Sequence, residues 1–295
     1  MPKKTPPLLI VHATLVLVSL IYGVNYIFLK QLIPAFLSPV ALLLIRSAGA
    51  CAFLWILVTI LRIKEPIKEK KHFLPLFLCG VFGASMNQLL FFSGIAKTSA
   101  LNTSLLVIAI PLFVLIISLL SKQEKATWLK VVGLLLGMLG AALIIITSSS
   151  AENEGDLIGD LYVLINCVLF AGYLILVKPL MKHYHALTVA KWVFLFGTLV
   201  SFPICINQFT AVEWSSFTPK AFLIIAFLVL VVTSAGYILN IWAMKFVDAT
   251  RVSFYIYLQP FFTAITAYLV FGEYFTLEQV AYSALIFVGV YLVNK

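Results

Sequence analysis

Charge is what this sequence has least of. Of 295 residues only 11% are charged against 63% hydrophobic, and 11 acids face 20 lysines and arginines. Soluble domains are about a quarter charged and about half apolar, so water is not the main solvent of this chain. No Asp or Glu falls in the middle of any apolar run, which leaves no carboxylate relay and no basis for inferring proton coupling. Cysteine is scarce too. Cys51, Cys79, Cys167 and Cys205 each sit alone in a different run, without metal or redox spacing, and read as small buried hydrophobes. His12, His72, His183 and His185 lie at run edges or in linkers and form no His-x-x-x-His pair, so no zinc site is expected. Nucleophile–base pairs and clustered acids are also missing; the sequence points to no enzyme and to no cofactor.

What the chain has instead is long apolar runs, at about 9–30, 38–61, 73–95, 98–121, 127–147, 157–178, 187–207, 220–245, 248–271 and 276–293. Crossing the hydrocarbon takes about 20 apolar residues, and inside it every backbone polar group needs a local partner. These runs therefore read as ten transmembrane helices; they are too long and too uniformly apolar for barrel strands. Pro2-Lys3-Lys4 ahead of the run from Leu8 imitates a signal peptide. The run is too long for one and has no Ala-x-Ala site, so it is expected to stay as the first span.

A net charge of +9 suggests nucleic acid until the basic residues are located. With the N-terminus in the cytoplasm, the inner segments hold most of them, Lys3, Lys4, Arg62, Lys64, Lys68, Lys70 and Lys71 among them; the outer segments hold only Lys30, Lys97 and Lys220. That is the positive-inside pattern. It predicts an integral protein of the cell (inner) membrane, both termini cytoplasmic, with the bilayer and not nucleic acid as partner.

The chain is also a tandem duplication. A shift of 149 positions aligns Ala100 with Ala249, Ser104 with Ser253, Pro111 with Pro260, Glu124 with Glu273, Thr127 with Thr276 and Gly140 with Gly289, without a gap. The first repeat spans 1–147, the second 157–295, and 148–156 is an acidic, outer joint. Each copy holds five runs, an odd number, so the second enters the membrane from the opposite side. The expected fold is all-α and integral to the membrane, two inverted five-helix repeats around a central cavity. Secondary transporters use such inversion for alternating access.

Run one carries Tyr22-Gly23-Val24-Asn25-Tyr26 ending in Lys30, loosely repeated in run six as Ala171-Gly172-Tyr173 ending in Lys178. Runs four and nine carry small-residue entries, Pro111 and Pro260, then Lys122-Gln123-Glu124 and Phe271-Gly272-Glu273. On these motifs the chain resembles the EamA-type ten-helix members of the drug/metabolite transporter superfamily, although the first copy departs from the family's Leu-Gly-Glu. The resemblance implies runs 1–4 and 6–9 around a central cavity, with runs 5 and 10 at the periphery.

Polar side chains at membrane depth are functional candidates, because hydrocarbon offers them no partner. Tyr22 and Asn25 share a face of run one, and Asn166 and Tyr173 a face of run six; Asn87 and Gln88 sit in run three. Tyr237 and Asn240 share a face of run eight, and Tyr255 and Gln259 a face of run nine. Together they are expected to line one substrate pocket; the competing use is hydrogen bonding that glues helices. Arg46, about two turns into run two, could meet a substrate anion, but the structural use, snorkelling or pairing with a helix end, is the expectation. Pro111 and Pro260 are expected hinges. Glu124 and Glu273, each ahead of a capping threonine, read as structural corners. Gly133, Gly137 and Gly140 lie along one side of run five, for a homodimer or for packing within the monomer. The expected function is secondary transport of a small organic metabolite, amino acids or related amphipathic compounds, in the export direction. The alternative within the same fold is a drug, vitamin or nucleotide-like permease; a membrane enzyme or channel ranks below both.

Overall fold

The computed structural model describes residues 7–33, 35–121, 127–150, 156–247, 252–253, 255–272 and 274–293. Every regular element among them is helical. In chain order these are α1 (Leu8–Leu32), α2 (Pro39–Ile60), α3 (Phe73–Cys79), α4 (Met86–Lys97), α5 (Ala100–Val107), α6 (Ile110–Leu120) and α7 (Trp128–Ser150). The second half has α8 (Leu157–Leu180), α9 (Ala186–Thr210), α10 (Pro219–Phe227), α11 (Gly236–Ala243), α12 (Leu258–Phe271) and α13 (Leu277–Val293). Counted over the described residues, seven continuous helical stretches are long and apolar enough to cross a membrane. Trp128–Gly140, Tyr255–Phe271 and Leu277–Gly289 are apolar but shorter. The outer surface is apolar, with Leu277 86%, Leu9 78% and Leu269 74% exposed, a surface that only a nonaqueous solvent would tolerate.

Local chemistry sets the helix starts. Ser38 accepts from the Ala41 amide ahead of Pro39 at the first turn of α2, and Thr218 and Pro219 do the same for α10. Thr127 and Thr276 cap as their positions predict: the Gln279 amide donates to Thr276 Oγ1 at 3.2 Å, and the Thr276 amide to Gln279 Oε1 at 3.1 Å, a capping box. Gly272 ends α12 at φ +70°, a conformation that costs glycine nothing. Glu124, Glu273 and residues 151–155 of the joint lie outside the described residues.

Two features depart from uniform helices. Run three is interrupted by a π-helical segment at Gly80–Ser85 and run eight by one at Leu228–Ala235, in step with the 149-residue register. Runs four and nine are each broken short of the proline. Pro111 lies in the first turn of α6, after a turn at Ile108–Ala109, and Pro260 in the first turn of α12, after a 3-10 turn at Tyr255–Tyr257. The prolines therefore remove no hydrogen bond from a helix middle; they sit where the amide would have had no helical partner.

The helix contacts repeat in step with the sequence. α1 packs on α11 and α12 as α8 packs on α4 and α6, while α2 packs on its own counterpart α9, and α7 on α13. In the last pair a Cβ on Gly140 would come within 2.7 Å of the Tyr282 carbonyl, and one on Gly289 within 2.4 Å of the Gly133 carbonyl. The glycine face of α7 is thus taken up within the chain, which decides between the two uses left open for it.

At the start of the second half, Asp156 Oδ1 accepts from the Ile158 amide at 3.0 Å and Oδ2 pairs with Lys97 Nζ at 3.0 Å. The Lys97 ammonium, then the helix amide, hold this carboxyl below its usual range. A depressed folded pKa contributes stability above the unfolded value, near about pH 4, and loses it as pH falls through the folded value. Asp156→Asn should therefore melt earlier than wild type at pH 7, and the gap should narrow progressively as pH falls below about 4.

Candidate functional site

One cavity of about 100 Å³ lies between the halves, walled by α1, α2, α4, α8, α11 and by Val252, Tyr255, Ile256 and Gln259. At roughly 10–15 Å³ per water on this scale, it has room for a small organic molecule in this conformation. Tyr22, Asn25, Asn87, Gln88, Asn166, Tyr237, Asn240, Tyr255 and Gln259 all line it, with Arg46 and the apolar faces of Phe91, Phe92 and Phe170. Tyr173 stands apart. Its 149-residue counterpart is Val24, and its ring fills the gap over Gly83, where a Cβ would come within 2.5 Å of it; it packs behind Tyr237, away from the cavity.

The polar wall residues divide by what their hydrogen bonds reach. Asn87 Nδ2 donates to the Asn166 carbonyl at 3.1 Å and Asn166 Nδ2 to the Asn87 carbonyl at 3.0 Å, a reciprocal clamp of α4 on α8. Tyr26 donates to Gln259 Oε1 at 3.0 Å, tying α1 to α12. The Tyr255 hydroxyl bonds His12 Nδ1, and its carbonyl accepts from Ser19 Oγ at 2.6 Å. Tyr237 donates to the carbonyl of Gly83 in the first π segment. These groups join the halves. Gln88 Oε1 and Asn240 Oδ1 are buried and have no hydrogen-bond partner. An orphaned buried acceptor is expensive, so these two atoms are where the cavity is incomplete.

Arg46 neither snorkels nor caps a helix end. It is 4% exposed, donates from Nε to Thr233 Oγ1 at 2.8 Å and from Nη1 to Asn25 Oδ1 at 3.2 Å, and lies 4.8 Å over the Phe92 ring. Thr233 in turn donates to the Leu228 carbonyl five residues back, at 2.7 Å, a reach that the widened π segment provides. No Asp or Glu lines the cavity among the described residues.

Two further polar ties escape a hydropathy reading. Asp160 is fully buried in the first turn of α8 and accepts from Asn102 Nδ2 at 2.7 Å, which also donates to Thr98 Oγ1. Asn102, in the small-residue entry of run four, is the signal that points to it. Tyr184 receives the Lys68 amide at 3.0 Å and bonds His72 Nδ1 at 2.7 Å, fastening the linker after α2 to the one after α8.

The profile of the EamA-like transporter family matches this sequence twice, over residues 9–146 and 157–295. The chain belongs to the EamA-like transporter family. It is similar to an uncharacterised transporter of Archaeoglobus fulgidus, 28% identical over 88% of this chain and 90% of that one. A WAT1-related protein of Arabidopsis thaliana, At3g53210, is 23% identical over 96% of this chain and 84% of its own. A solved structure, titled only as the crystal structure of a protein, shares the fold with a TM-score of 0.66 at 14% identity, over 96% of each chain. The chain is a membrane transporter by family, and its apolar helices suit that role.

Proposed function

We propose that this EamA-family chain is a secondary transporter that exports amino acids or related small amphipathic metabolites across the cell membrane by alternating access. The carrying observation is the cavity: a small, mostly apolar chamber shared by both halves, walled in part by phenylalanines, with two unpartnered amide oxygens. In this reading the chain makes ten spans in two inverted repeats, 1–147 and 157–295, with both termini in the cytoplasm. Its support is the 149-residue register, the odd run count and the matching contacts of the two halves. Nine of the ten polar candidates divide between substrate contact and helix tying, and Tyr173, its hydroxyl unpartnered, serves as packing.

Pro111 and Pro260 act in this reading as hinges at the breaks that precede them. Pro260→Ala permits a helix to run through Tyr257–Leu258 and should slow transport several-fold while leaving the melting temperature near wild type; cysteine accessibility from both sides, unchanged by the substitution, would count against a hinge.

The test is counterflow of radiolabelled amino acids in liposomes holding the purified chain, with and without a pH gradient. Accumulation of a class identifies the substrates, and a gradient effect identifies proton coupling. The phenylalanine-rich wall of Phe91, Phe92 and Phe170 favours an apolar drug as the second reading, taken up if no amino acid exchanges.

A further inference from the structure

We propose that the cavity is a zwitterion site, in which Arg46 takes the carboxylate of an α-amino acid and the amide oxygens of Gln88 and Asn240 take its ammonium group. The proposal rests on the transporter reading above and narrows its substrate class.

Arg46 brings a permanent cation into a wall without a carboxylate among the described residues, and both of its partners, Thr233 and Asn25, are neutral. A buried charge lacking a counterion is costly, and a guanidinium fork matches a carboxylate in two parallel bonds. Nε–H and one Nη1 proton are engaged, which leaves both Nη2 protons and the second Nη1 proton for a ligand. An anion alone would not complete the site, because Gln88 Oε1 and Asn240 Oδ1 need donors.

The orientation of Gln88 follows from its neighbour. Tyr237 commits its single proton to the Gly83 carbonyl, so its oxygen can only accept from Gln88, whose Nε2 stands 3.5 Å away. The amide nitrogen is thereby fixed on Tyr237, and the oxygen is the end offered to a ligand. Gln88 and Tyr237 are 149 positions apart, so this contact joins equivalent positions of the two copies. A carboxylic acid would leave these oxygens unpaired, and an amine would leave Arg46 unpaired. An α-amino acid, which carries both groups, satisfies both walls.

The test is equilibrium binding to the purified full chain of three probes with one ring system: L-phenylalanine, 3-phenylpropionate and phenethylamine. Wild type should hold phenylalanine at least about tenfold tighter than either analogue, since a site built for a polar group rejects the compound lacking it. Arg46→Gln should weaken phenylalanine and 3-phenylpropionate by about thirtyfold, the low end for truncating one partner of a buried charge pair, and leave phenethylamine within about twofold. Asn240→Leu should do the converse, erasing the preference for phenylalanine over 3-phenylpropionate, and it carries the test if the Arg46 variant does not purify as a single species. Equal losses for all three probes in the Arg46 variant, or none, would make Arg46 a structural residue and overturn the proposal. Phenylalanine bound and exchanged by wild type, with an unaltered probe order in both variants, would sink the zwitterion site and leave the transporter reading standing. If wild type bound none of the three, the zwitterion site would fall and the amino-acid reading with it.

Discussion

Gly289→Leu is expected to separate the last helix from α7 and to cost at least about 3 kcal/mol, the upper end of the usual overpacking penalty. A Cβ at Gly289 would stand 2.4 Å from the Gly133 carbonyl, 2.7 Å from the Gly137 nitrogen and 3.1 Å from its Cα. All three are backbone atoms, so no rotamer change relieves the clash; the helices themselves must part. The reciprocal approach is as tight, since Gly140 faces the Tyr282 carbonyl and Ile286 across the same seam. In hydrocarbon, helix association depends on close packing and not on water exclusion, so an opened seam has little to replace it. Thermal unfolding of the purified variant would check this, with Met138→Leu, at a site 49% exposed, as the neutral comparison. Equal melting of the leucine variant and wild type would mean that α7 and α13 do not pack along their glycines.

The same seam illustrates what a linear reading can reach. Gly133, Gly137 and Gly140 are visible as spaced glycines in run five, and Gly140 has its match in Gly289, but the partner of a glycine face cannot be read from spacing, because any close-packed surface satisfies it. The limits of the unbroken helices α1, α2, α8 and α9 were legible to within a few residues, since the apolar runs bound them; Thr127 and Thr276 were legible as caps because capping is local. The π segments were not. Hydropathy reports which solvent a residue prefers, and Gly80–Ser85 and Leu228–Ala235 are as apolar as the helices around them. Their effect on the cavity is nevertheless direct, for they supply the Gly83 carbonyl to Tyr237 and Thr233 to Arg46. Nine of the ten polar candidates converge on one cavity because polar groups in an apolar chain have few places to be satisfied. Tyr173 diverges for a reason of volume: the absent side chain of Gly83 makes a socket for its ring, and burial of the ring outweighs its unpaired hydroxyl. Which of the nine are spent on one another, and which keep an unpartnered atom, depends on ångström-scale geometry that composition does not carry.

Gly23→Leu is expected to reduce counterflow by about a hundredfold, the scale on which a displacement near 1 Å at a binding site acts. Gly23 lies at the centre of Tyr22-Gly23-Val24-Asn25-Tyr26, and it is where α1 crosses α12 at its closest. A Cβ there would meet Phe262 Cβ at 2.7 Å, the Gln259 carbonyl at 2.9 Å and the Thr263 amide at 3.3 Å. Thr263 Oγ1 also donates to the Gly23 carbonyl at 3.1 Å, so the crossing is bonded as well as packed. Pushing α12 outward would break that bond and draw Gln259 off Tyr26, with Asn25 and its contact to Arg46 on the adjoining turn. Four cavity residues would thus be disturbed by a side chain that never enters the cavity. Pro260 lies within the displaced stretch, between Gln259 and Thr263, so the substitution would also load the proposed hinge. Gly23→Ala, with one carbon to accommodate, should give an intermediate loss. Wild-type counterflow from a correctly assembled Gly23→Leu protein would show that the α1–α12 crossing opens during transport and does not hold the cavity wall.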